Sequence, residues 1–334
     1  MNNNKNDNTI VMPSNNVFLS SVESFSSDDI KDDPDKDKIK SIYPLVVRAI
    51  IMAISIGVFC FSVYSIALRI ADDKKQENIY SSLRPDMNAE SAIGKSNQLL
   101  EPNRMLTLLE MINANGKYDD YKEDVLSDTE RYAIYRQSLL KVMAENSDTY
   151  GWIVFTGTKI DYPIMLGEDN SYYLNHNYKG IQTKAGSIFA DMSLWRNHQD
   201  NYNALIYGHC MTNGSMFRGI KLWYDSANRN TLADNMKIEI ITKDSVYVYK
   251  LFSAYRSDDF SFTKTNFKDS GDYKQFLDSI YKRSALRKRI PYSEQSKICT
   301  LVTCTNVKAN PDERYVVHGI LDKIVPYEKE TSAE

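Results

Sequence analysis

One stretch of the chain is apolar without interruption. From Ala49 to Leu68 twenty positions pass with no charged residue, about 30 Å as a helix, which matches the hydrocarbon core of a bilayer. Arg48 and Arg69 bracket it and can reach the two interfaces, and Tyr43 lies nearby as an aromatic anchor. A buried core helix rarely runs this long without a charge, so the pattern predicts a membrane span. A long polar segment precedes it and there is no short basic leader, which is not the layout of a cleavable signal peptide. Lys31, Lys36, Lys38 and Lys40 on one side balance Arg69, Lys74, Lys75 and Arg84 on the other. The positive-inside count therefore does not orient the span.

Elsewhere the pattern is that of a disordered tail and a β-rich domain. Residues 1–40 are rich in Asn and Ser, then in mixed charge, with few large apolar side chains. The polar stretch 70–97 reads as a stalk. Arg104 to Ile112 and Asp128 to Glu145 carry apolar stripes at helical spacing, the second through Tyr132, Tyr135, Leu139 and Val142–Met143. From Gly151 the period becomes that of strands. Runs at Trp152–Phe155, Ser187–Ala190, Ala204–Tyr207, Met236–Thr242, Ser245–Tyr255, Ile298–Cys304 and Arg314–Ile324, with a weaker one near Pro163–Leu166, favour a closed barrel or sandwich over a doubly wound α/β fold. One helix, Asp272 to Leu286, interrupts them. The organisation expected is a tail over 1–43, a span over 44–70, a stalk over 71–98, a folded domain over 99–328 and a short tail over 329–334.

Composition narrows the function classes. With 41 basic against 44 acidic residues the net charge is −3, so no global basic field exists to grip nucleic acid. Four cysteines among 334 residues are too few for a disulfide scaffold and lack CxxC spacing.

Candidate chemistry gathers at the ends of strands. Cys304 ends the apolar run Ile298-Cys299-Thr300-Leu301-Val302-Thr303-Cys304, just before a polar loop. Cys299 falls on the opposite face of that strand by alternation, so the two thiols cannot serve one cleft. His209 follows the strand Ala204–Tyr207 in the same way. A histidine and a cysteine at neighbouring strand mouths form the arrangement of nucleophilic catalysis, although each could equally be structural. Arg314 opens the next strand, and a tight return would bring its guanidinium beside Cys304, where it could clamp an oxyanion or substrate carbonyls. His318 shares that face about 13 Å farther along, at strand rise, and reads as structural. His176 and His198 lie in polar stretches and are expected to face solvent. Cys210 should point away from the cleft and form no disulfide with Cys304.

The ordered trio of Tyr207-Gly208-His209, Thr300-Leu301-Val302-Thr303-Cys304 and Arg314 resembles the sortases, membrane-anchored cysteine transpeptidases of Gram-positive bacteria. Gly151-Trp152-Ile153, Asp161-Tyr162-Pro163-Ile164, Asp169-Asn170, Tyr172-Tyr173-Leu174, Gly186-Ser187-Ile188-Phe189 and Asn213-Gly214-Ser215-Met216-Phe217 are similar to class B members in particular. The resemblance covers roughly 100–327. It implies a mainly β fold, an eight-stranded barrel with N-terminal helices and a helix before the catalytic strand, held outside the cell by a single-pass anchor whose N-terminus is cytoplasmic. It further implies that Cys304 attacks the sorting signal of a surface protein or pilin to give a thioester. An amine of a peptidoglycan precursor or a pilin lysine then resolves it, with His209 as acid and base and Arg314 as clamp. Asn170, Thr303 and Ser215 are candidates for lining the substrate groove, beside readings as an Asx turn and as residues that satisfy backbone groups. Many class B members carry an acidic residue directly after the cysteine, where this chain has Thr305. No cofactor and no obligatory metal is expected. A zinc site from His209, Cys210, Cys304 and His318 has neither the spacing nor the facing it would need. The alternative reading is a membrane-tethered binding barrel that keeps the motif without turnover.

Overall fold

The computed structural model describes residues 34–85 and 127–327. The expected helix at 104–112 and both tails, up to residue 33 and from 328, lie outside them. Helix α1 runs Pro34–Leu83. Its apolar window has a mean hydropathy of 2.3 and none of it is buried. Inside it Ser55 and Ser62 donate their hydroxyls to the carbonyls of Ile51 and Val58, so neither presents an unsatisfied polar atom to an apolar solvent. The chain divides into a unit ending at Ile66 and a unit beginning at Ala67.

In the second unit helix α2, Asp128–Glu145, begins with a capping box between Ser127 and Glu130 and buries Tyr132, Tyr135, Leu139 and Val142. Arg131 places a two-pronged guanidinium on Glu239 at 2.8 and 2.7 Å, and the Tyr132 hydroxyl adds a third bond at 2.8 Å. This saturates a carboxylate that is only 2% exposed.

Eight strands close a barrel: β1 Thr149–Phe155, β2 Ile160–Met165, β3 Ile188–Ala190, β4 Asn203–Tyr207, β5 Lys237–Ile241, β6 Ser245–Ser257, β7 Ile298–Cys304 and β8 Arg314–Pro326. Their order around the barrel is β1-β2-β3-β4-β7-β8-β6-β5. Two neighbouring pairs are parallel, β2 with β3 and β4 with β7. The long crossover between β2 and β3 carries helix α3, Tyr172–Asn175. Helices α4, Arg218–Tyr224, and α5, Arg229–Ala233, follow β4. Helix α6, Ser270–Arg283, is capped by Asp269 and lays Tyr273, Phe276, Leu277 and Ile280 onto the outer face of the sheet, against Leu205, Phe252, Val302 and Val316. The strands and the long helices from Asp128 onward fall where the sequence pattern puts them, to within a few residues.

One segment differs. The stretch expected to be a polar stalk continues α1 as far as Leu83, and Gln76 and Tyr80 within it are 3% and 1% exposed. Its residues are polar because only one face meets the barrel.

Candidate active site

Strand direction builds the site. Because β4 and β7 are parallel, with Tyr207 opposite Val302, their C-terminal ends reach the same rim. Strand β8 runs antiparallel to β7 with Cys304 opposite Arg314, so it begins at that rim. Gly208 donates its N–H to the Val302 carbonyl at 3.2 Å, which carries the pairing one residue past β4 and brings His209 to the level of Cys304. A side chain at Gly208 is excluded, since a Cβ would lie 2.4 Å from Ile188 and 2.7 Å from Phe217.

Cys304, His209 and Arg314 are each half-buried, and the rim brings all three together. Each of the two cationic or basic side chains has a partner other than the thiol. His209 Nε2 meets the Leu174 carbonyl at 2.8 Å. A carbonyl only accepts, so Nε2 carries the proton and Nδ1 of the neutral ring is the open acceptor. Arg314 donates through Nη1 to the carbonyls of Pro311 (2.8 Å) and Glu313 (3.1 Å) and lies over the Phe260 ring, 5.4 Å from its centre.

The other candidates are bonded or buried within the protein. Asn170 spans two strand connections, donating to Asp191 at 2.9 Å and accepting the Met192 N–H at 2.7 Å. The Asx turn belongs to its neighbour Asp169, which accepts the N–H groups of Ser171 and Tyr172. Ser215 is buried and donates to Asn213 at 2.7 Å. Thr303 alternates away from Cys304, and its buried hydroxyl has no partner among the described residues. Thr305 is buried and folded into its own loop, its N–H on the Glu313 carbonyl at 3.2 Å.

The remaining thiols differ in kind. Cys299 is wholly buried on the opposite face of β7, and burial pushes its thiol well above the usual range. Cys210 is buried, with its sulfur 3.7 Å from an Arg218 donor, and desolvation raises it too despite that cation. All are free thiols.

Of the other histidines, His318 is buried between the Thr300 hydroxyl (2.8 Å) and the Tyr255 hydroxyl (3.0 Å), and desolvation with the nearby Arg283 charge pushes it down to about 3. His176 is half-buried and stacks on Tyr172. His198 corrects the sequence reading: it is not in solvent but 3% exposed, between the hydroxyls of Tyr150 (2.7 Å) and Tyr249 (2.6 Å). Burial, with the charge of Lys297, pushes it down to about 3. Its polar sequence neighbours line a turn that folds the ring inward.

Three parts of the rim were not visible in the sequence. Leu174 contributes a backbone atom, which no side-chain type advertises. Phe260 comes from a loop far along the chain. Asn306 has a left-handed backbone (φ 61°) and donates its amide to the Cys210 carbonyl at 2.8 Å, tying the loop after Cys304 to the loop after His209. An Asn two residues past a strand end was the available signal.

A half-exposed thiol, an imidazole and a guanidinium at one barrel rim are the equipment of acyl transfer through a cysteine. Residues 156–322 match the Sortase domain family. The chain is 28% identical to sortase B of Listeria monocytogenes over 287 residues, 85% of this chain and 98% of that protein. It is 30% identical to sortase B of Staphylococcus aureus over 191 residues, 56% of this chain and 75% of that one. A solved mutant form of Clostridium perfringens sortase B superposes with a TM-score of 0.53 at 29% identity, covering 59% of this chain and 92% of that structure. The chain belongs to the sortase family. Within that family it is a class B member, a sortase-type cysteine transpeptidase.

Proposed function

We propose that Cys304 is the nucleophile of this transpeptidase, His209 its acid and base, and Arg314 its oxyanion and substrate clamp. The Cys304 thiol gives its proton to the open Nδ1 of His209, and the resulting thiolate adds to the scissile carbonyl of a sorting signal carried by a surface protein or pilin. The C–N bond breaks, the amine leaves with a proton from the His209 imidazolium, and a thioester remains on Cys304. An incoming amine, of a peptidoglycan cross-bridge or a pilin lysine, gives its proton to the imidazole and attacks the thioester. The thiolate then leaves. One amide bond is broken and one is formed, with no net oxidation. The observation that carries this reading is the register at the rim, where Cys304 lies opposite Arg314 and one strand from His209. In this free state His209 and Arg314 are held by backbone carbonyls. Catalytic bonds of this kind commonly tighten only when substrate arrives.

Asn170, Thr303 and Ser215 take the part of wall residues, since their polar atoms are bonded or buried within the protein. The apolar helix anchors the enzyme in the membrane as a single pass, with the N-terminus in the cytoplasm and the barrel outside, where sorting-signal proteins and wall precursors meet.

The test uses the full-length protein in detergent with a panel of sorting-signal peptides and competing amines, namely oligoglycine, a peptidoglycan stem mimic and a pilin-lysine peptide. Mass spectrometry is expected to find one peptide cleaved and joined to one amine, and neither product with Cys304→Ala. Absence of cleavage of every peptide by folded protein favours the non-catalytic barrel.

A further inference from the structure

A polar stripe on the last turns of α1 joins the barrel at a point close behind His209. Asp72, Gln76 and Tyr80 recur every four residues and so share one helix face, and Arg84 follows directly after the helix end. All four meet the barrel. Thr183 donates to Asp72 at 3.3 Å and Asn177 to Gln76 at 3.0 Å. The Tyr80 hydroxyl donates to the Gly186 carbonyl at 2.9 Å and lies 3.1 Å from the Ser187 hydroxyl. Arg84 donates to the Asp161 carbonyl at 3.2 Å and covers the Tyr162 ring.

Two routes lead from this stripe to His209. The first runs through the β2–β3 crossover. Gly186 has a left-handed backbone (φ 57°) and is pressed so closely on α3 that a Cβ there would lie 2.5 Å from the Leu174 carbonyl oxygen. That oxygen is the one that holds His209 Nε2. Ser187 locks the same contact from its other side, donating its N–H to Tyr173 and its hydroxyl to His176, at 2.9 Å each. The second route runs through Tyr162, whose ring meets the edge of Tyr80 at 5.4 Å. The Tyr162 hydroxyl accepts the N–H of Met216 at 3.1 Å. Met216 is itself left-handed (φ 54°), and the next residue, Phe217, donates to the His209 carbonyl at 2.8 Å. The ring and the backbone of His209 are thus each fixed by a group that packs on, or follows directly from, residues α1 touches: the Leu174 carbonyl behind Gly186, and Phe217 next to the Met216 held by Tyr162.

We infer that the Asp72–Arg84 stripe, with Tyr80 at its centre, is a positioning element for His209: the helix that anchors the enzyme also sets the register of its acid–base residue. The inference rests on the reading of His209 as that residue. Tyr80 touches no reacting atom, and its effect passes through Gly186 and the Leu174 carbonyl. A misplacement of about 1 Å in such a support can cost up to about a hundredfold in rate.

The test compares full-length wild type, Tyr80→Phe, Tyr80→Ala, the off-stripe variant Lys74→Ala and His209→Ala in steady-state transpeptidation, alongside thermal melting. Tyr80→Phe keeps the ring contacts and removes only the hydroxyl, with its bond to Gly186 and its contact with Ser187. It is expected to lower kcat about tenfold with KM within about twofold and an unshifted melting midpoint. Tyr80→Ala is expected to lower kcat further, and Lys74→Ala to match wild type. Wild-type kcat in Tyr80→Phe, or losses in both Tyr80 variants that only track the folded fraction, would overturn the inference and leave the stripe a plain clamp. Full activity in His209→Ala would instead remove the functional reading beneath it, so the two failures are told apart.

Discussion

The interior and the rim of the β7–β8 ribbon hold the same kinds of residue in opposite circumstances. Near the middle, Thr300, His318 and Tyr255 form a closed chain of hydrogen bonds with no solvent. At the rim, Cys304 faces Arg314 half-exposed, with His209 beside them. His318 has both ring nitrogens engaged, so it has no atom left for a substrate. His209 has one nitrogen on a backbone carbonyl and keeps the other open. Cys299 and Cys304 repeat the contrast on one strand: a sealed thiol is held protonated, whereas a thiol at a strand mouth can be approached. Residue type proposes chemistry; unsatisfied valence and access decide it.

The contrast breaks first, and most, if the histidines exchange roles. His209→Ala is expected to lower kcat/KM by about a thousandfold or more with an unchanged melting midpoint. His318→Ala should leave the folded enzyme active and cost about 1–3 kcal/mol of stability, because it strands the Tyr255 hydroxyl in the core and leaves Thr300 only its bond to Asn203. Steady-state kinetics beside urea unfolding measure both, and a stability loss in the first with an activity loss in the second would reverse the assignment. Next in size, Arg314→Lys is expected to slow turnover roughly a hundredfold, since an ammonium cannot reproduce the planar fork. Near wild-type turnover would reduce Arg314 to a charge. Differential alkylation sharpens the thiol half of the comparison. Cys304 in detergent-solubilised protein should label with a water-soluble reagent while Cys299 and Cys210 label only after unfolding.

The same contrast predicts a pH dependence of stability. His198 and His318 are held neutral, at about 3 in the fold, against roughly 6.5 in an unfolded chain. The unfolded state therefore binds more protons between those values. Their contribution is intact above about pH 6.5 and is lost as the pH falls towards 3, at about 1.4 kcal/mol per pH unit for each ring. Urea midpoints at pH 7 and pH 5 should show a shallower loss for His318→Gln than for wild type. Equal slopes would place the titration elsewhere.

Much of this was legible from the chain. Strand alternation and the helical stripes narrow the fold to a closed barrel or sandwich, because one-sided burial leaves a period in the sequence, and the resemblance carried by His209, Cys304 and Arg314 implies the barrel and its rim. Backbone contacts leave none. The Leu174 carbonyl could not be read, nor could the docking of Asp72, Gln76, Tyr80 and Arg84, a polar stripe that looks solvated until Thr183, Asn177 and Gly186 are placed against it. His198 was misjudged for the same reason. Its neighbours Arg196, Asn197, Gln199 and Asp200 are polar, while its own environment of three tyrosines is assembled from β1 and β6.

The central claim is that Cys304 carries the acyl group. The direct measurement is intact-mass analysis of full-length protein quenched in acid during turnover of a cleaved sorting-signal peptide, followed by peptide mapping. The expected result is a transient adduct equal to the acyl fragment, mapped to Cys304, discharged by added amine and absent in Cys304→Ala. Cleavage without any such adduct, or an adduct on another residue, would contradict the account.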